Sequence, residues 1–199
     1  MADFLLAYSN TMTAEGGYSN VAADRGGETY MGITRKNFPE WPGWQIIDRH
    51  KGGVNQKSLD DMLADEPELQ KMVRAFYQEK FWPVQFDQLD QDIANELFDT
   101  AVNQGLGSAI KYLQSALNLL NRNQKDYPNL PTDGGMGPVT IACYNSLIAT
   151  QKYPSRSYNK IVKVLLKVMN YFQMKRYIDL VAKDESQEEF LFGWTERVI

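Results

Sequence analysis

Two acidic residues nine positions apart, Glu15 and Asp24, stand where the sequence changes character. Glu15 follows a stretch of helical periodicity and precedes Gly16-Gly17, while Asp24 opens the glycine-rich run Asp24-Arg25-Gly26-Gly27. Cleavage of a glycosidic bond needs such a pair: one carboxylic acid protonates the leaving oxygen, and one carboxylate activates water or attacks the sugar carbon. The expected surroundings differ in the sense those roles require. Glu15 falls in a last helical turn, beside apolar surface, where unpaired carbonyls disfavour a negative charge and tend to raise a carboxyl pKa. Asp24 falls in a polar turn. A chain with 25 acidic residues also offers helix-ending Glu and turn-forming Asp for structural reasons, because an Asp side chain readily bonds nearby backbone amides. Spacing alone leaves both readings open.

Around this pair stand aromatic and amide side chains. Tyr18, Tyr30 and Trp44 could stack on sugar rings or pack into a core, and Asn103 and Gln104 end a helix where their amides could bond hydroxyl or N-acetyl groups. Other chemistries are poorly supplied. One histidine, His50, in a loop-like context, and one cysteine, Cys143, in an apolar helical segment, exclude a disulfide framework and argue against a His/Cys metal site or a His-dependent triad. No metal or cofactor is needed by the carboxylate reading. The formal charge of −4 argues against a nucleic-acid partner. No apolar run reaches membrane-span length, and the N-terminus lacks a basic region and a secretory apolar segment.

The elements that must position these residues are mostly helical. Residues 3–14 are expected to form a first helix, with Phe4, Leu5, Tyr8 and Met12 on one face and Gly16-Gly17 as its stop. Glycines beside Thr29-Tyr30-Met31 predict a tight turn and one small strand or hairpin. A loop-rich stretch then holds Trp41 and Trp44. Ser58-Leu59-Asp60-Asp61 resembles a capped helix start, and Pro67 opens a helix that carries Leu69, Met72, Val73 and Phe76 and ends near Trp82-Pro83. Residues 91–104 form another, with Ile93, Leu97, Phe98, Ala101 and Val102 inward; Gly105 and Gly107 end it, and Ser108 caps a helix bearing Ile110, Leu113 and Leu117. Residues 121–137 read as a loop, Pro138 starts a helix to about Ile148, and a long helix covers roughly 157–182. Its expected inward stripe is Ile161, Val164, Leu165, Val168, Phe172 and Ile178, with Lys160, Lys163, Lys167, Lys175 and Arg176 on a solvated face. The fold class is mainly α with one small β-hairpin near the N-terminus.

Glu15-Gly16-Gly17-Tyr18, Asp24-Arg25-Gly26-Gly27-Glu28-Thr29 and Gly32-Ile33-Thr34 follow one another in the order of the N-acetylmuramidase family glycoside hydrolase 108. The chain resembles that family over roughly residues 5–95, and Tyr77 with Phe81-Trp82-Pro83 is similar to its aromatic-Trp-Pro stretch. The resemblance implies a lysozyme-like helical fold, peptidoglycan glycan strands as substrate, the bond after N-acetylmuramic acid as the one cut, and Glu15 as the catalytic residue. Some members are described as secretion activators. A more distant similarity is to phage-type lysozymes, in which a threonine follows the aspartate by six residues. Here Tyr30 holds that place and Thr29 falls one residue early, so the water-positioning role of Thr29 stays open. So does the stereochemical outcome, which depends on whether the carboxyls stand about 5–5.5 Å apart or roughly 6.5–9.5 Å apart. On this reading Glu15 and Asp24 are catalytic, and Tyr18, Thr29, Tyr30, Asn103 and Gln104 meet the substrate.

In the second half, Leu113-Gln114 and Leu117 followed by Asp133-Gly134-Gly135-Met136-Gly137-Pro138-Val139-Thr140 resemble peptidoglycan-binding modules. Phe98 to Gly105 is similar to the opening of the module that accompanies the catalytic family. The same residues would build a turn and a helix start without any ligand. The expected organisation is a muramidase region over 1–95, a peptidoglycan-binding-like helical region over 96–180 packed into the same globule, and a tail over 181–199. A monomer is expected, made in the cytoplasm without a signal peptide and acting at the wall by a non-classical or holin-type route, of cellular or phage origin. Two alternatives remain: a non-catalytic wall-binding or phage-particle protein, and a regulator of secretion working through the Lys160–Arg176 face.

Overall fold

The computed structural model describes residues 1–12, 17–20, 27–52, 56–149 and 158–198. It divides into two compact units, one of Phe4–Trp82 and one of Met1–Asp3 with Pro83–Ile199.

The first unit contains helices α1 (Phe4–Met12), α2 (Gly43–His50), α3 (Gln56–Ala64) and α4 (Pro67–Phe81), with strands β1 (Tyr18–Ser19), β2 (Thr29–Tyr30) and β3 (Ile33–Thr34). The strands form one antiparallel sheet in the order β1-β2-β3, so the expected hairpin gains a third strand from the Gly-Tyr signature. The β2–β3 turn is the dipeptide Met31-Gly32, both at positive φ (45° and 78°), as the tightest hairpins require. Met31 tolerates this conformation because its backbone is held twice: its N–H donates to the Gly17 carbonyl at 3.2 Å, and its carbonyl accepts the Tyr77 hydroxyl at 2.6 Å. Pro67 sits in the first turn of α4, where a missing N–H costs nothing. From α4, Leu69 and Val73 enter a core with Ile33, Ile47 and Leu63, all fully buried.

Aromatic rings fill the rest. Trp41 and Trp44 meet edge to face at 5.2 Å, Phe76 packs against Phe38, Trp41 and Tyr77, and the Trp44 indole N–H donates to the Phe38 carbonyl at 2.8 Å. Both tryptophans are buried, so the choice between packing and sugar stacking falls to packing. A Cβ on Gly43 would run into the Trp41 ring, which accounts for glycine at the start of α2.

The second unit is helical: α5 (Gln91–Gln104), α6 (Leu106–Leu120), α7 (Pro138–Ile148), α8 (Tyr158–Val181) and α9 (Glu188–Glu196). Gly105, at φ +90°, both ends α5 and precedes α6, a conformation open to glycine at no steric cost. α5 packs most extensively on α6 and also on α8, burying Ile93, Leu97, Phe98 and Ala101 with Leu113, Ala116, Leu117 and Leu165. Each of the Ile, Leu and Phe side chains among these contributes about 1.5–3 kcal/mol when taken out of water. Asp90, just before α5, accepts the hydroxyls of Tyr144 and Tyr158 and so ties that end to α7 and α8. Cys143 is buried, as its apolar context implied.

Three local expectations are corrected. In α1 the buried positions are Phe4, Ala7, Thr11 and Met12; Leu5 lies about 100° round the helix from Phe4 and is exposed. α3 is already helical at Gln56, which places Ser58 inside it rather than at its cap. In α8 the inward residues include Met169, Gln173 and Tyr177 at four-residue steps, and Ile178, one position beyond Tyr177, turns to solvent. Beyond α8, residues 182–198 include a 3-10 turn and α9, whose Trp194 stacks on Tyr177 at 5.1 Å.

Candidate functional site

The sheet sorts the signature residues by face. Successive strand residues point to opposite sides, and cross-strand partners Ser19, Thr29 and Thr34 are all half-buried, whereas Tyr18, Tyr30 and Ile33 are all buried. Three hydroxyls therefore share the more open face. Of these, Thr29 Oγ1 donates to the Gly27 carbonyl at 3.3 Å. The opposite face is core: the Tyr30 hydroxyl donates to the Leu63 carbonyl at 3.1 Å and accepts from Gln70 Nε2 at 2.8 Å.

The Gly-Tyr step of the signature is fixed from a distance in sequence. The Tyr18 N–H donates to Asp60 Oδ1 at 2.6 Å. A Cβ on Gly17 would lie 2.7 Å from that same oxygen, so a larger residue there would expel the carboxylate that holds the strand. Asp60, read from sequence as part of a helix start, is instead the clamp on Tyr18. Burial, followed by hydrogen bonding to Glu28, pushes the Tyr18 phenol pKa upward.

Glu28 belongs to an ion-pair network with no counterpart in the sequence expectations. Its carboxylate takes Arg35 Nε at 2.7 Å and Lys51 Nζ, while Asp48 binds Arg35 through two contacts (2.7 and 3.1 Å) and Lys51 at 2.8 Å. The Arg35 hydrogen bonds are the main reason the Asp48 carboxyl is pulled down to about 2. Arg35 also lies 4.6 Å over the Trp44 ring, and Lys51 lies 5.6 Å over Tyr18. Two acids and two bases thus brace the hairpin against α2. Both Glu28 oxygens are engaged by cations, which suits a brace and not a proton donor.

In the second unit, the Asp133-to-Thr140 pattern closes around Gln114. This side chain is 2% exposed; its Nε2 donates to Asp133 Oδ1 (2.8 Å), the Gly135 carbonyl (3.0 Å) and Thr140 Oγ1 (3.4 Å), and its Oε1 accepts the Gly134 N–H (3.0 Å). Gly134 is at φ +81° and approaches the Gly107 carbonyl too closely for a Cβ. Glu96, inside α5, is 7% exposed and accepts the Thr100 hydroxyl at 3.1 Å. Burial, with Asp99 adding to it, pushes its pKa up to about 7.

Residues 8–105 match the family described as Glycosyl hydrolase 108, and residues 108–199 match the family described as Predicted Peptidoglycan domain. The chain carries both domains. The solved structure of Brucella abortus SagA is similar over 98% of this chain and 88% of its own, with a TM-score of 0.55 and 21% identity, a likeness that bears on the fold. Among curated proteins, none matches the sequence.

The glycosyl hydrolase 108 match thus extends through α5, which packs among the helices of the peptidoglycan match. Within it, Glu15 and Asp24 lie outside the described residues. Tyr18 and Thr29 are neighbours in the sheet but on opposite faces, and Tyr30, expected at the substrate, is a core residue because the strand alternation turns it inward. Asn103 and Gln104 belong to the second unit, and their amides bond within it: Asn103 Nδ2 donates to the Asp99 carbonyl at 2.9 Å, and Gln104 Oε1 accepts the Tyr112 hydroxyl at 2.8 Å. Ser19, Thr34, Asp60 and the Glu28–Arg35–Asp48–Lys51 network were not foreseen. Ser19 and Thr34 could have been found from strand alternation once β1 and β3 were recognised; Asp60 meets Tyr18 across 42 positions, and in the network only Asp48 and Lys51 stand at local helical spacing. No helix among the described residues is long and apolar enough to cross a membrane.

Proposed function

We propose that the protein is an N-acetylmuramidase, cleaving the glycan of peptidoglycan after N-acetylmuramic acid, with Glu15 as general acid. The observation that carries this reading is the glycosyl hydrolase 108 match over residues 8–105, which spans both candidate carboxylates and is followed by a predicted peptidoglycan domain. Glu15 protonates the bridging oxygen, and Asp24 holds the attacking water or stabilises positive charge developing on the sugar. The half-buried hydroxyls of Ser19, Thr29 and Thr34 supply donors and acceptors suited to sugar hydroxyls, with Ser19 and Thr29 flanking Asp24 at equal distance in sequence. Tyr18 supports the sheet from its buried face. The place of action is the cell wall. Mass spectrometry of products from purified peptidoglycan tests the reading: fragments with N-acetylmuramic acid at the reducing end support it. Fragments ending in N-acetylglucosamine, or intact wall that the protein binds without cutting, would overturn it.

A further inference from the structure

The second unit contains a pocket of about 250 Å³ lined by Asn103 and Gln104 at the end of α5, Arg176, Tyr177 and Leu180 on α8, and Trp194 on α9. Pockets for larger ligands run to roughly 300–1,000 Å³, so this one suits a single amino-acid residue or sugar ring. Its lining is short of free amides. Asn103 Oδ1 already accepts from Arg197 at 2.9 Å, besides the bond from its Nδ2 to Asp99, and Gln104 Nε2 donates to the Gln173 carbonyl at 3.3 Å. The glycan bonding expected of these two side chains is therefore largely taken up inside the protein.

Arg176 is differently placed. It is exposed and makes no hydrogen bond or ion pair with another described residue. The acid near it on α8, Asp179, is already held by Lys175 through contacts of 2.7 and 2.9 Å. The guanidinium keeps its fork of donors for a ligand. Leu180 and Trp194 give an apolar wall, and Trp194 is stiffened by stacking on Tyr177 and on Phe190, at 5.1 and 5.9 Å. Tyr177 is 4% exposed, and its hydroxyl sits beside the Gln104 and Gln173 amides without completing a hydrogen bond. A guanidinium beside an apolar wall suits a carboxylate on a small apolar group, because Arg binds carboxylates through paired, charge-assisted bonds. N-acetylglucosamine carries hydroxyls and no such charge, and the carboxyl of N-acetylmuramic acid is used up as an amide wherever a peptide is attached.

We propose that this pocket binds the carboxylate end of the short peptides attached to peptidoglycan, giving the second unit its own hold on the wall. The proposal rests on peptidoglycan being the substrate, and it deepens that reading by naming the part of the polymer recognised. Peptides without sugar separate the two claims, since they cannot be hydrolysed by a muramidase. The full chain is titrated with diacetyl-lysyl-D-alanyl-D-alanine, with its C-terminal amide, and with an N-acetylglucosamine disaccharide, following the Trp194 indole resonance by NMR. The acid should shift that resonance and bind at least about tenfold more tightly than the amide, as expected for one charge-assisted bond. Arg176→Gln, which alters an exposed side chain, should lose about tenfold for the acid and nothing for the amide. Equal binding of acid and amide, an unchanged affinity in folded Arg176→Gln, or a response to the disaccharide alone would overturn the proposal. Peptide binding without wall hydrolysis would sink the muramidase reading and leave the pocket assignment standing.

Discussion

Glu96 offers a perturbation whose size follows from its surroundings. Its carboxyl is enclosed in α5, and its pKa is raised from an ordinary 4.5 to about 7, chiefly by burial. The native state therefore keeps a proton that the unfolded chain releases, and between those two values stability falls as pH rises. Below the lower value both states are protonated, and above the upper one both are ionised, so the loss is confined to that window. Integrated from pH 4.5 to pH 8, it amounts to about 3 kcal/mol. Glu96→Gln keeps the shape and an oxygen to accept the Thr100 hydroxyl but has no proton to lose. Urea unfolding of both proteins at the two pH values isolates this effect, because every other titration is shared. The variant should gain about 3 kcal/mol over wild type on going from the acid to the alkaline condition. Parallel pH dependence in the two proteins would refute the reasoning.

Gln114→Ala removes four hydrogen bonds of a buried amide, so it should cost about 2–4 kcal/mol in urea unfolding; a loss below about 0.5 kcal/mol would show that the loop holds itself. Tyr30→Phe should cost about 1–2 kcal/mol and leave kcat/KM on peptidoglycan unchanged, since its hydroxyl serves the core. Thr29→Val, on the open face, should lower kcat/KM by about tenfold with little loss of stability; the opposite pattern would mean that the sheet faces are misassigned. A chain ended at residue 107 retains the whole glycosyl hydrolase 108 match but strips α5 of α6 and α8. It should lack near-UV circular dichroism from a packed α5 and show unprotected amides there, and a native-like exchange pattern would contradict this.

Much of the helical framework was legible because punctuation residues mark it. Pro67, Gly105 and Pro138 delimit α4, α5 and α7 almost to the residue, through a missing N–H or a positive φ that few other residues supply. The phase of a helix was harder to read, because it depends on which neighbours it meets. Leu5 and Ile178 are apolar enough for a core, yet each is one position away from the face that its partners cover. The same limit applied to the site. Residue types in the signature suggested sugar contacts by Tyr18, Thr29 and Tyr30 alike, but two-residue strands alternate, so only one of the three lies on the open face. The contacts that brace the motif run between Tyr18 and Asp60 and between Glu28 and Lys51, pairs brought together only by folding. Spacing of Gly-Gly-Tyr still carried information: Gly17 is small because a carboxylate occupies the place of its Cβ.

The central claim concerns a proton delivered from position 15. Purified wild type and Glu15→Gln should be incubated with the same peptidoglycan while new reducing ends are counted, after near- and far-UV circular dichroism has established that the two proteins fold alike. The account predicts that release falls by about a hundredfold or more in the variant, the scale of one positioned acid. Undiminished release from the variant would contradict it.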